Sequence, residues 1–139
     1  LDYSSELFGM GAYKTGLAYT LALEKHYPKD HRVVANVGAY YMALHMDDKG
    51  MKYARKAVDM NPNDQINVWN LGRMYDFTGD NANAEKYYAR SLTLEQTPEE
   101  LEEHQCIYSE FVQKKLKDLK RACEIQKKYC PPSKRPACS

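Results

Sequence analysis

Apolar residues along most of this chain recur every three or four positions, the spacing that lays one hydrophobic stripe along an α-helix. Val33, Val37, Tyr40, Tyr41 and Leu44 form one such stripe. Met51, Ala54, Ala57 and Val58 continue it beyond the Asp47-Asp48-Lys49-Gly50 region, which reads as the break between two helices. Asn61-Pro62-Asn63-Asp64 is a stop and turn signal. Val68, Leu71, Gly72 and Tyr75 open the next stripe, Thr78-Gly79-Asp80-Asn81 makes a turn, and Ala84, Tyr87, Tyr88, Ser91 and Leu92 form its partner. No segment sustains the period-two alternation of a half-buried strand, so the pattern predicts helices in pairs.

The pairs repeat. Residues 31–64 laid over 65–98, an offset of 34 positions, put Val37-Gly38 on Leu71-Gly72, Tyr41 on Tyr75, Gly50 on Ala84, Ala57 on Ser91 and Met60 on Leu94. The same step backwards puts Gly16 on Gly50, Leu23 on Ala57 and Pro28 on Pro62; forwards it puts Cys106 on Gly72. Small side chains therefore recur where two helices must approach closely, and large ones recur where they can fill the space between.

Trp69-Asn70-Leu71-Gly72-Arg73-Met74-Tyr75, followed by Gly79-Asp80, Ala84, Tyr88 and Leu94, resembles the tetratricopeptide repeat, a helix-turn-helix unit of the same length. Residues 31–64 resemble it through Val37-Gly38, Tyr41, Ala57 and Pro62. They depart at His45, where the repeat has its turn glycine, and at Ala54, where it has an aromatic. The resemblance implies an all-α fold: antiparallel helix hairpins stacked as a right-handed α-solenoid with a C-terminal capping helix or hairpin. Residues 1–130 form the array under this reading. They divide into a partial unit at 1–30 (Gly11 at its turn, Pro28 at its close), units at 31–64 and 65–98, and a degenerate or capping unit at 99–130. Residues 131–139 are a tail rich in Pro and Cys.

Within 99–130, Thr97-Pro98-Glu99-Glu100 is a strong helix start: a capping Thr, Pro in the first turn, and acids at the positive end of the helix dipole. Leu101, Ile107, Tyr108, Phe111 and Val112 give one apolar face, and Leu116, Leu119, Ala122, Cys123 and Ile125 another. Either the chain bends near Lys114–Lys117 into a hairpin or it runs on as one long capping helix; the hairpin is the preferred expectation. The Lys-rich run 114–128 supplies the polar outer face that a terminal repeat needs.

At 139 residues the length is that of one domain with room for a core. Lys plus Arg is 20 and Asp plus Glu is 19. A net charge of +1 argues against a general nucleic-acid or membrane-surface binder. No run of apolar residues is long enough to insert in a membrane. The chain begins at Leu1 without a signal-like segment, which we read as a fragment or processed form, its targeting signal out of view. Tyrosines number 12 against 3 Phe and 1 Trp, which suits half-buried positions with a wet tip.

A solenoid of this kind lines its concave face with the first helix of each unit, and the resemblance carries that face onto this chain. Unit 31–64 offers Arg32, Ala35, Asn36, Ala39, Met42 and Ala43; unit 65–98 offers Ile66, Trp69, Asn70, Arg73, Asp76 and Phe77; the last segment offers Glu100, Glu103, His104, Ile107 and Phe111. Asn36 and Asn70 occupy equivalent places, and an Asn amide can grip a peptide backbone without reading side chains. Arg73 is the charge anchor, or else it is solvated or ion-paired with Asp76 within the stack. Trp69 and Phe77 are apolar anchors, with packing between repeats the competing role for Trp69. The subset of the family that clamps a chaperone's C-terminal carboxylate needs cations at places that here hold Ala35, Ala39, Glu100 and His104, so that ligand is not expected.

Chemistry-bearing motifs are sparse. The chain has no Gly-rich phosphate loop and no His-x-x-x-His pair, and His45-Met46-Asp47-Asp48 falls at an inter-helix turn where solvated polar residues belong. We expect no metal and no cofactor. Cys106, Cys123, Cys130 and Cys138 permit three pairings. Cys106 faces Cys123 if 99–130 is a hairpin, and Cys130 and Cys138 bracket a loop able to close on itself. Disulfides would suit an oxidising, extracytoplasmic compartment, though a cytoplasmic one stays open; reduced thiols or a zinc site with His104 are the alternatives. The sequence thus points to a non-enzymatic protein-interaction scaffold that takes a peptide or partner helix in its groove. Two rival readings are a self-assembling structural segment and the recruiting part of a larger enzyme.

Overall fold

The structure, a computed structural model, describes the backbone of residues 3–138 and the side chains of residues 10–138; Leu1, Asp2 and Ser139 lie outside it. Seven α-helices follow in order: α1 (Tyr3–His26), α2 (His31–Ala43), α3 (Asp47–Met60), α4 (Gln65–Thr78), α5 (Asn81–Ser91), α6 (Pro98–Lys114) and α7 (Leu119–Tyr129). Two 3-10 turns, Pro132–Lys134 and Pro136–Cys138, complete the described chain, which contains no strand. α2 packs on α3, α4 on α5 and α6 on α7; these pairs stack, with α1 against α2 and α3 against α4. α2 and α4 start 34 residues apart, as do α3 and α5, so the step in the sequence is the step of the helices. The molecule is an all-helical array of stacked pairs, the architecture of a repeat solenoid.

The ends of the helices are written locally. Asp30, Asp64, Asp80 and Asp118 each accept a backbone N–H of the helix that follows, and Thr97 with Glu100 forms a reciprocal capping box at the start of α6. Gly79 closes α4 in the left-handed region at φ 90°. His45 at the equivalent turn of the preceding unit and Lys117 in the α6–α7 turn take the same region at φ 60° and 56°. The turn glycine that His45 replaces is thus replaced in side chain only, and the backbone keeps its conformation.

Pairing within a unit depends on small residues. A Cβ on Gly38 of α2 would lie 3.2 Å from the Gly50 carbonyl oxygen of α3, and one on Gly72 of α4 would lie 3.0 Å from the Tyr88 backbone nitrogen of α5. Around these crossings sits the main core, with Trp69, Leu71, Met74, Tyr75, Tyr88, Tyr108, Phe111 and Val112; Val34, Ala35 and Ala57 form a smaller cluster.

The tyrosines act as ties between helices. Tyr53 of α3 donates to Glu24 of α1, and Tyr88 of α5 donates to Asp76 of α4. Arg55 of α3 donates to the hydroxyl of Tyr75 of α4, and Arg121 of α7 donates to Tyr108 of α6 and also to Glu85 of α5. A ring buried in the interface with its hydroxyl on a neighbouring helix explains the choice of Tyr over Phe.

Several expectations are corrected. Gly11 is not at a turn: α1 runs unbroken through Gly11 and Gly16 to His26. Gly16 is used for close approach instead, since a Cβ there would run into the Tyr40 ring. The break before α3 is shorter than expected, because Asp47–Gly50 already belongs to the helix. Residues 99–130, by contrast, form the hairpin that was the preferred expectation, with its bend at 115–118. All four cysteines are in disulfides, but as Cys106–Cys130 and Cys123–Cys138. Ala122, Gln126 and Cys130 recur every four residues along the buried side of α7, so Cys130 reaches α6. Cys123 is rotated one position off that face and meets the returning tail.

Candidate partner-binding groove

The first helices of successive units, α2 and α4, lie side by side, and between them is a hollow of about 310 Å³. Ala39, Met42 and Ala43 of α2 face Asn70, Arg73, Met74 and Phe77 of α4 across it. The spacing explains the set: 39, 42 and 43 on one helix and 70, 73, 74 and 77 on the other each keep to one helical face. Met42 is placed by its own unit. A Cβ on Gly50 would lie 2.6 Å from Met42 Cγ, so the missing side chain of Gly50 is the seat on which Met42 rests.

The lining is apolar with two polar groups on its rim. Phe77 is 64% exposed, a large apolar ring left in water beside the hollow. Arg73 is exposed and joins no salt bridge among the described residues. Its supposed partner Asp76 is otherwise engaged: the Tyr88 hydroxyl donates to it at 2.9 Å and Lys115 Nζ lies 3.4 Å away. That carboxylate and burial together raise the Tyr88 phenol well above its ordinary pKa, with burial the larger cause. Asn70 is half-buried on the same wall. A second, narrower hollow of about 170 Å³ lies next to the first, lined by Arg73 and Asp76 of α4 and by Ile107, Glu110, Phe111, Lys114 and Lys115 from the α6 side.

Other residues assigned to this face from the sequence sit elsewhere. Trp69 is 4% exposed and stacks between Tyr88 and His104, with ring centres 4.7 and 4.5 Å away, so it is core packing. Its place one position from Asn70 turns it 100° around α4, away from the open face. His104 is half-buried against Trp69, and the side-chain amides of Gln65 and Gln96 both converge on its Nδ1 at 3.0 Å. Burial lowers its pKa below the ordinary histidine value. Ala35 and Phe111 are also buried. Asn36 is exposed on α2 but outside the walls of the hollow.

The sequence reading passed over two polar positions that organise the array. Asn67 is buried at the start of α4, where its amide nitrogen reaches the Ala57 carbonyl at 3.2 Å and His31 Nδ1 at 2.9 Å. Gln126 is fully buried in α7: its amide nitrogen donates to Gln113 and its oxygen accepts the backbone N–H of Ala137 at 2.9 Å, clasping the tail. Only the four-residue spacing from Ala122 to Gln126 to Cys130 hinted at the second.

What this geometry offers is surface for recognition. Among the described residues, no group of three or more His, Cys, Asp or Glu side chains is placed to hold a metal ion. No helix among them is long and apolar enough to cross a membrane.

Hairpins of this length, stacked at this step with first helices side by side, define a helical repeat protein. Residues 68–98 match the tetratricopeptide repeat family model, so the chain carries a repeat of that family. No curated protein matches the chain. Tetratricopeptide repeats generally mediate protein–protein interaction and are typically non-catalytic.

Proposed function

We propose that this chain is a non-enzymatic scaffold that receives a peptide or partner helix along the α2–α4 face. The observation that carries the reading is the apolar hollow between α2 and α4, rimmed by an arginine that pairs with no acid among the described residues. Met42, Met74 and Phe77 supply apolar contact, Asn70 supplies an amide for a guest backbone, and Arg73 supplies charge. Asn36, one turn before Ala39 on α2, extends the same face.

Affinity capture from the native source tests this, comparing the wild-type chain with Asn36→Ala plus Asn70→Ala and with Arg73→Ala. The proposal expects the arginine variant to bind its captured partner about tenfold more weakly, ~1.4 kcal/mol. Undiminished capture by both variants would remove the groove from the mechanism. The self-assembly alternative is separated by sedimentation: concentration-dependent association that survives both variants would support it, and a monomer at high concentration would dismiss it.

A further inference from the structure

The stack has two ends, and they carry opposite charge. At the far end the last hairpin presents the face of α6 that holds Glu99, Glu103 and Ile107. The residues 34 positions earlier are Gln65, Trp69 and Arg73 of α4. Those three meet α6: Gln65 and Trp69 both touch His104, and Arg73 lines the hollow between the two helices. The same face of α6 is therefore the one on which a further first helix would stack. The tail covers only its edge and leaves a hollow of about 440 Å³. Ile107, Tyr129 and Pro131 form its apolar part, and Glu99, Glu102, Glu103 and Glu110 surround them. Lys134 is its one lining cation, and none of these five charges joins a salt bridge among the described residues. Lys114 stands one turn from Glu110 in the neighbouring hollow; with Glu110 left out, three carboxylates still face one lysine.

At the near end, α1 packs on α2 and keeps its outer side in water. Lys14, Ala18, Ala22 and Lys25 are all exposed there, and Tyr19 at 66% is the most exposed large apolar side chain described. The acids close by are already taken, Glu24 by Lys56 and the Tyr53 hydroxyl, Asp30 by Arg32. Lys14 and Lys25 join no salt bridge among the described residues.

The ends match in spacing as well as in sign. Lys14 and Lys25 are 11 residues apart, and so are Glu99 and Glu110. That separation is about three helical turns and returns to the same side within about 20°, so each pair lies on one face, about 16 Å apart. Ala18 and Ala22 between the lysines let another helix come close. Exposed ion pairs alone are weak, so the apolar surface between the charges, Tyr19 on one end and Ile107 with Tyr129 on the other, has to be buried as well.

We infer that copies of this chain pair end to end, the outer side of α1 in one lying along the open α6 face of the next, with Lys14 and Lys25 set against Glu99 and Glu110. The two surfaces differ, so each contact leaves one free end of each kind and copies add in a chain. The hollow between α2 and α4 takes no part, and the pairing does not rest on the groove reading.

Sedimentation velocity of the disulfide-intact chain over a concentration series tests this. The wild-type coefficient should rise with concentration past that of a dimer, and less so in high salt, which screens the pairs. Glu99→Lys plus Glu110→Lys makes both ends basic, and Lys14→Glu plus Lys25→Glu makes both acidic. Each double variant alone should associate at least tenfold more weakly than wild type. Their equimolar mixture should recover association, because the reversed end of each fits an end of the other, and recovery requires that both are folded. Should either melting curve differ from wild type, Glu99→Gln plus Glu110→Gln and Lys14→Gln plus Lys25→Gln decide by the same loss. A wild-type chain that stays monomeric, a series that stops at the dimer, variants that associate as wild type does, or a mixture of folded variants that fails to recover would overturn the inference. The groove reading would be left as it stands, since partner capture is judged by Asn70 and Arg73.

Discussion

At His45 the chain turns through the left-handed region with a side chain attached, where the next unit uses Gly79. That conformation costs an L-residue about 1–2 kcal/mol, partly offset in a glycine variant by the greater freedom of its unfolded chain. His45→Gly and Lys117→Gly should each raise stability by about 1 kcal/mol in urea denaturation; an unchanged or lowered midpoint would show that the His45 or Lys117 side chain contributes contacts worth as much as the strain. Gly72→Ala should do the reverse. The added methyl meets the Tyr88 backbone nitrogen at 3.0 Å, and backbone cannot rotate aside, so a loss of about 1–3 kcal/mol is expected. His104 gives a pH signature. Burial depresses its pKa, so the unfolded chain binds the proton more readily than the folded one. Stability should hold above pH 6.5, the ordinary histidine value, and fall as pH drops below it, less so in His104→Gln; Trp69 fluorescence during urea titration reads this directly. These residue-scale features were unevenly legible. The glycine positions stand out in the repeat, whereas Trp69 and Asn70 are neighbours in sequence whose opposite fates only the helix rotation decides.

Among the elements, the α6–α7 hairpin and the tail behind it are held by different means from the units before them. Two disulfides and the Gln126 clasp bind α6, α7 and the segment to Cys138. Their closed loops span 24 and 15 residues, each worth ~3 kcal/mol on chain-entropy grounds, less in combination because the loops overlap. Reduction should therefore lower the melting temperature and open the tail to protease near residues 131–138; a melting curve indifferent to reductant would contradict the cross-links. The helices themselves were readable from their stripes and caps. The disulfide pairing was not, because it depends on which face of α7 each cysteine occupies and on where the tail returns. Nor was the continuity of α1, where Gly11 looks like a turn signal but sits inside the helix and Gly16 further along makes the close approach to Tyr40. Gly50→Ala belongs to this scale as well. It should leave the α2–α3 pair folded yet shift Met42, changing guest affinity without substituting any residue that lines the hollow.

For the whole molecule, the 34-residue step is what turns separate amphipathic helices into a continuous face. α2 and α4 fall side by side because their starts are one step apart, and their small and apolar residues form the hollow because that step preserves helical phase. The general position of this face followed from the repeat, and six of the residues read onto it from the sequence, Ala39, Met42, Ala43, Asn70, Arg73 and Phe77, do line the hollow. Which residues on the helices pointed inward was less legible, since core and groove positions on α4 alternate within a single turn. The most direct measurement is the change in backbone amide NMR signals on adding the peptide or partner that the chain captures. The account predicts that perturbations gather on α2 and α4 around Met42, Asn70, Arg73 and Phe77 and spread toward Ile107 and Glu110. Perturbations confined to α1, α3 or α5, with the α2–α4 face silent, would contradict it.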